Sequence, residues 1–120
     1  MNFFKRILGR FTTRGRALAK VAKGRDCATN REPDIAINYY TEVVDAPESP
    51  REVIAMALFN RALAYSTTGR EDEAVKDLNA ILSMPESILE IKKSASDKLV
   101  RMRRKQEREE PATRNPKPTT

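Results

Sequence analysis

Prolines and a glycine divide the middle of this 120-residue chain into stretches that are each long enough for one helix. Pro33, Pro47, Pro50 and Pro85 interrupt or begin helices because proline lacks the backbone N–H, and Gly69 is a residue type that commonly ends one. Between these points apolar residues recur three or four positions apart, the spacing of one face of an α-helix. The pattern predicts an all-α fold: a short antiparallel helix-turn-helix repeat array of about five helices.

The periodicity also predicts where these helices lie and which residues face the core. The predicted helices cover about residues 17–28, 33–45, 50–68, 73–84 and 86–109, and the last is expected to act as a C-terminal capping helix. The predicted core-facing residues, in chain order, are Leu18, Val21, Ala22, Ile35, Ala36, Tyr39, Tyr40, Val43, Ile54, Leu58, Ala62, Tyr65, Ala74, Val75, Leu78, Ile81, Leu82, Ile88, Ile91, Ala95, Leu99 and Met102.

The sharpest local signal for a helix start is the run Ser49-Pro50-Arg51-Glu52. It reads as a capping box with Ser49 at the N-cap, Pro50 at the first helical position and Glu52 at the third. In that arrangement the serine oxygen accepts a bond from the Glu52 amide, and the Glu52 carboxylate accepts one from the Ser49 amide. We therefore expect a well-defined helix start at this run.

Residues 1–16 form a separate basic, amphipathic segment. Its apolar and basic residues recur at helical spacing, and Thr12, Thr13 and Gly15 predict a break after about three turns. Three interpretations remain open: weak binding to an anionic membrane surface, an organelle transit segment, or a helix that docks on the rest of the fold. The candidate residues for an anionic surface are Phe3, Phe4, Lys5, Arg6, Ile7, Leu8, Arg10 and Phe11.

The net charge of +6 conceals an uneven distribution. Residues 1–25, 26–91 and 92–120 carry +8, −8 and +6, so a mildly acidic body lies between two basic ends. The basic run from Arg101 to Lys105 suggests contact with nucleic-acid phosphates, but no aromatic residue lies nearby to stack on bases, and a solvated helix end is the simpler explanation. Residues 109–120 contain three prolines and no apolar pattern, which predicts a disordered tail.

Side chains that commonly carry catalysis or bind metals are scarce in this sequence. There is no histidine, which removes the Ser-His-Asp arrangement, most zinc sites and the commonest general base. Cys27 is the single cysteine and lacks a histidine base, so it is expected to be a small, half-buried apolar residue. No apolar run approaches the ~20 residues that span a bilayer. We expect a cytoplasmic, non-catalytic protein without a cofactor or metal.

The two central helix pairs are similar to each other in sequence. One constant offset aligns Ala36 with Ala74, Tyr40 with Leu78, Val43 with Ile81 and Pro47 with Pro85. Residues 55–82 resemble the tetratricopeptide repeat family. The residues that match its large, small, aromatic and turn positions are Leu58, Ala62, Tyr65, Gly69, Ala74, Leu78 and Ile81. The repeat domain would cover 17–108. The second copy departs from the family at Arg61, where Leu is usual. The first copy departs at Lys20 and Lys23, where apolar residues are expected, and at Arg31, where Gly is usual.

The resemblance implies a protein-interaction module in which the first helix of each repeat contributes to a surface that binds a peptide or protein. Asn60 matches an asparagine that often holds the backbone of a bound peptide, and Asn60 and Arg61 are the expected partner contacts. Val21 and Arg25 stand where a chaperone-tail clamp would have Lys and Asn, so that activity is not expected. The alternatives are a peripheral adaptor anchored to an anionic membrane surface by the N-terminal helix, and an RNA-associated protein that uses both basic ends. Homodimerisation also stays open.

Overall fold

A computed structural model describes the backbone of residues 2–109 and the side chains of residues 13–86 and 88–109. This part of the chain is entirely helical apart from its turns, which confirms the predicted all-α class. The helices are α1 (Asn2–Thr29), α2 (Pro33–Asp45), α3 (Arg51–Thr67), α4 (Glu71–Leu82) and α5 (Leu89–Glu109), and a single 3₁₀ turn at Glu86–Ile88 leads into α5. The predicted disordered tail lies outside the described residues from position 110 onward.

Each helix packs on the next along the chain, and α3 also contacts α1 and α5. Two groups of buried side chains hold this array together. The first joins α1, α2 and α3 through Ala17, Val21, Ala36, Ile37, Tyr40, Val43, Val53, Ala57 and Ala64. The second joins α3, α4 and the α5 region through Ala55, Leu58, Ala62, Ala74, Leu78, Ile81, Ile88 and Ala95. The array is therefore built around α3, which contributes to both groups.

The turns that end α1 and α3 have the same hydrogen-bond geometry. At the end of α3 the Arg70 amide donates to the Tyr65 carbonyl at 2.8 Å and the Gly69 amide to the Ser66 carbonyl at 3.3 Å. At the end of α1 the Glu32 amide donates to the Cys27 carbonyl at 2.8 Å and the Arg31 amide to the Ala28 carbonyl at 3.2 Å. Both are Schellman turns, in which one residue must take a left-handed conformation. That residue is Gly69 (φ 79°) in one turn and Arg31 (φ 62°) in the other.

The predicted break at Thr12, Thr13 and Gly15 is wrong, because α1 is continuous from Asn2 to Thr29. Threonine and glycine lower helix stability by only about 1 kcal/mol each at most. That cost is small beside the packing of Ala17 and Val21 in the first core group. The predicted core-facing Ala22 is exposed, whereas Leu18 is half-buried against the first core group and Ala17 and Val21 are buried in it.

The predicted capping box is also absent. Helix α3 begins at Arg51 after an extended Pro50, and no side chain caps it. The carbonyl of Pro50 instead accepts the amides of Val53 at 3.0 Å and Ile54 at 2.9 Å. The Glu52 carboxylate lies 3.1 Å from the Arg14 guanidinium of α1. The Glu52 carboxylate therefore pairs with a charge on α1 and does not cap its own helix, and this solvent-exposed pair contributes little stability.

The predicted core is largely correct for α4 and α5 but incomplete for α2 and α3. In α2 Ile37 is buried, whereas the predicted Ile35 is 45% exposed. Helix α3 buries Val53, Ala55, Ala57 and Ala64 in addition to the predicted Leu58 and Ala62. A helix with neighbours on several sides buries more than one stripe, so a single-stripe prediction misses residues. The predicted capping helix packs on the second core group through Ile91, Leu99 and Met102.

The left-handed turn residues lead to a matched stability prediction. A non-glycine residue in the left-handed conformation destabilises the folded state by about 1–2 kcal/mol. Glycine avoids this strain, but it loses more backbone entropy on folding, which offsets part of the gain. Replacing Arg31→Gly should therefore raise the free energy of unfolding by about 0.5–1 kcal/mol, and Gly69→Arg should lower it by a similar amount. Thermal unfolding followed by circular dichroism measures both. Equal Tm values for the two variants and the parent chain would contradict this account.

Two glycines of α1 lead to a second matched pair. A Cβ at Gly24 would lie within 2.9 Å of ring atoms of the buried Tyr40, whereas a Cβ at Gly15 meets nothing within 4 Å. Gly24→Ala should destabilise the fold by about 1–2 kcal/mol, because overpacking outweighs the gain in helix propensity. Gly15→Ala should stabilise it by about 0.5–1 kcal/mol. Urea unfolding of both variants checks the signs, and a stable Gly24→Ala variant would show that Tyr40 can move aside.

Candidate functional site

A buried ion pair between Arg61 of α3 and Asp77 of α4 connects the middle of the array. The Arg61 Nε and Nη2 atoms donate to the two Asp77 carboxylate oxygens at 2.8 and 2.7 Å. The Nη1 atom donates to the Thr41 hydroxyl of α2 at 3.1 Å. Asp77 is only 4% exposed. One guanidinium therefore links three helices through a two-pronged contact that a lysine cannot reproduce.

Arg61 stays charged in this position. Its hydrogen bonds to Asp77 raise the pKa of the guanidinium above its ordinary value, although burial acts in the opposite direction. The guanidinium also lies 5.8 Å from the centre of the Tyr65 ring, and Arg70 approaches the same ring at 5.8 Å. Arg70 in turn pairs with Asp34 at the start of α2 at 3.2 Å. Arg70 therefore contacts both the Tyr65 ring and the start of α2, and its pair with Asp34 is largely exposed to solvent and contributes little stability.

A groove of about 570 Å³ lies between the C-terminal halves of α1 and α3. Its volume falls in the range of ordinary ligand pockets, and its lining is more apolar than polar. Asn60 and Leu63 of α3 line it beside residues of α1 and α2. The complete lining is Arg25, Ala28, Thr29, Arg31, Pro33, Tyr40, Asn60, Leu63, Ala64, Thr67 and Thr68.

The groove combines an apolar floor with polar groups and a positive rim. Leu63 is the half-buried apolar residue of the lining, and Ala64 and Tyr40 lie almost fully buried beneath it. The hydroxyls of Thr29, Thr67 and Thr68 donate to nearby backbone carbonyls and keep their acceptor capacity. Burial raises the pKa of the Tyr40 phenol above its ordinary value. Among the described lining residues two are arginines and none is a carboxylate. The arrangement can accommodate a short peptide segment with apolar and hydrogen-bonding groups.

The structure separates the two residues that the sequence predicted as partner contacts. Asn60 lines the groove, and its Nδ2 atom donates to the Met56 carbonyl at 2.8 Å, which orients the carboxamide. An asparagine side chain retains further donor and acceptor capacity after one such bond. Arg61 does not line the groove, because its donors are engaged by Asp77 and Thr41. Arg25, Arg31 and Leu63 line the groove although the sequence did not single them out as contacts.

A second cleft, of about 580 Å³, lies between α4 and the C-terminal half of α5. Glu71 and Asp72 stand on its α4 side, and Arg103 and Lys105 on its α5 side. Charges of both signs therefore border it and do not favour one ligand charge. The exposed basic run of Arg101 to Lys105 lies on this part of α5, with only Met102 half-buried.

The other sequence-predicted features fall partly outside the described residues. The backbone of α1 is helical from Asn2, but the side chains of the candidate anionic-surface residues at positions 3–11 lie outside the described set. Within the described part of the chain no helix is long and apolar enough to cross a membrane. No group of three or more possible metal-ligating residues occurs there either. Cys27 is half-buried against the first core group.

Comparisons with known proteins give no relative for this chain: no family model, curated protein or solved structure matches it.

The buried ion pair leads to a direct stability prediction. Arg61→Leu leaves the Asp77 carboxylate buried without its partner and should cost about 3–5 kcal/mol of unfolding free energy. The double variant Arg61→Leu with Asp77→Leu removes both charges and should cost less than either single change. Urea unfolding of the two single variants and the double variant forms a complete cycle. A single-variant cost below about 1 kcal/mol would show that water already screens the pair.

Proposed function

We propose that this chain is a non-catalytic protein-interaction module of the tetratricopeptide type, and that it binds a peptide or protein segment in the groove between α1 and α3. The observation that carries the proposal is the position of Asn60. It stands where the resembled family often holds a bound peptide's backbone, and it lies on the wall of a largely apolar groove. The matching turns at the ends of α1 and α3 support the repeat character of the array.

The groove is more consistent with a peptide than with a small metabolite. It is an open depression between two helices, and its polar groups are spread along both walls: Asn60, Thr67 and Thr68 on α3 and the adjoining turn, and Thr29 on α1. A peptide has hydrogen-bonding groups at every residue, so it can use polar contacts that are spaced in this way. The apolar floor near Leu63 then accommodates one or two side chains.

Peptide selection on the full-length chain tests the proposal. Peptides from a displayed random library are selected, synthesised and titrated against variants by fluorescence anisotropy. The double variant Asn60→Ala, Leu63→Ala should weaken peptide binding about tenfold or more. The two substitutions remove an oriented carboxamide and apolar contact area from one wall of the groove. Leu89→Ala is the matched control, since Leu89 is 62% exposed on α5 and does not line the groove.

Two outcomes contradict the proposal. Selected peptides that bind the Asn60→Ala, Leu63→Ala variant as tightly as the parent would move the binding surface elsewhere. Recovery of nucleic acid alone from a lysate, lost after nuclease treatment, together with a failure to select any peptide, would favour the basic ends of the chain instead.

A further inference from the structure

The cleft between α4 and the C-terminal half of α5 carries opposite charges on its two sides. Glu71 and Asp72, from the first turn of α4, form an acidic edge, and Arg103 and Lys105 of α5 form a basic edge. Glu109, the last residue of α5, adds one carboxylate to the α5 side. All five residues are exposed. The cleft shares no lining residue with the groove between α1 and α3, so it is a separate surface.

The acidic and basic edges do not neutralise each other within one copy of the chain. Among the described residues no ion pair of 4.0 Å or less joins α4 to α5, whereas Asp77 of α4 pairs with Arg61 of α3. Glu71 accepts a hydrogen bond from the Ser66 hydroxyl at 3.4 Å, which leaves its charge uncompensated. Both edges are therefore available to the charges of a partner.

An apolar floor lies between the two edges of the cleft. Val75 of α4 and Leu99 and Met102 of α5 form it, and each of them is half-buried. The cleft measures about 580 Å³, so α4 and α5 do not close over these side chains. Apolar residues that are bordered by charges of both signs are typical of interfaces between helices, where the charges select the partner.

We propose that this cleft is the interface of a symmetric dimer, in which a second copy of the chain covers the apolar floor. The acidic and basic edges lie on the same face, so the face is its own electrostatic complement. A two-fold axis that runs along the cleft brings the acidic edge of each copy against the basic edge of the other, and every contact occurs twice. The two apolar floors then face each other and lose contact with water.

The charges favour a second copy over nucleic acid as the occupant. A phosphate that contacts Arg103 or Lys105 would lie across the cleft from Glu71 and Asp72, which repel it. A second copy instead supplies a cation for the acidic edge and a carboxylate for the basic edge. Ion pairs that form beside the covered apolar floor are screened less by salt than fully exposed pairs.

Reversing the charge of one edge at a time tests the dimer on the full-length chain. Glu71→Lys, Asp72→Lys gives a copy with two basic edges, and Arg103→Glu, Lys105→Glu gives a copy with two acidic edges. Each variant should dimerise at least about tenfold more weakly than the parent in sedimentation equilibrium at about 0.15 M salt, because like charges then meet across the interface. An equimolar mixture of the two variants should dimerise about as tightly as the parent, because opposite charges meet again.

The mixture also separates a lost interface from a damaged fold, because a misfolded variant cannot restore the dimer. Lys23→Glu, Lys93→Glu is the matched control. Both lysines are exposed, neither lines the cleft, and the charge change equals that of Arg103→Glu, Lys105→Glu. This control should dimerise like the parent.

Three results would overturn the inference. The first is a parent chain that stays monomeric up to about 1 mM, the concentration at which even a weak specific interface is occupied. The second is a dimer that neither charge reversal weakens. The third is a mixture of the two reversed variants that stays monomeric, since the cross-pairing of edges requires the mixture to associate. None of these results bears on the proposed peptide groove, whose lining all the variants leave unchanged.

Discussion

The ion pair between Arg61 and Asp77 is the interaction on which the rest of the array depends. A carboxylate that is 4% exposed needs compensation for its lost hydration, and the two-pronged guanidinium supplies it from the neighbouring helix. The same guanidinium reaches Thr41, so α2, α3 and α4 share one polar centre. On α3 the pair occupies the side toward α2 and α4, and the neighbouring Asn60 lies on the groove wall. A helix held in place on one side presents a defined surface on the other.

Small residues complement the ion pair by allowing the helices to approach closely. Gly24 of α1 packs against the ring of Tyr40, and Ala62 of α3, at the corresponding position of the second repeat copy, is fully buried. Close approach of helix backbones requires such residues because interiors are packed without spare volume. The first copy of the repeat thus follows the same packing logic as the second, although its sequence diverges. The Schellman turns at Arg31 and Gly69 extend the correspondence to the backbone.

The sequence was sufficient to predict the helices but not their contacts. Proline, glycine and apolar spacing are local signals, and they predict the bounds of α2, the turn at Gly69 and the buried Ala74, Leu78 and Ile81 of α4. Leu82, also predicted to face the core, is 37% exposed. The continuity of α1 was not, because packing of Ala17 and Val21 outweighs weak local propensities. The sequence predicts a local cap for the Glu52 carboxylate, because its partner Arg14 lies far away in the sequence and gives no local signal. The sequence predicts Arg61 as a surface contact for the same reason, because only folding brings its partner Asp77 next to it. The groove combines residues from three helices, and only Asn60 among them carried a recognisable pattern.

The face between α1 and α3 is the proposed binding surface, and the buried ion pair on the other side of α3 is structural. Amide chemical shifts of isotopically labelled full-length protein, recorded during titration with a selected peptide, test this division most directly. We predict that the largest shifts cluster at Arg25, Thr29, Asn60, Leu63 and Thr67, and that the amides of Thr41 and Asp77 change little. Shifts concentrated between α4 and α5, or on Arg101 to Lys105, would contradict the account.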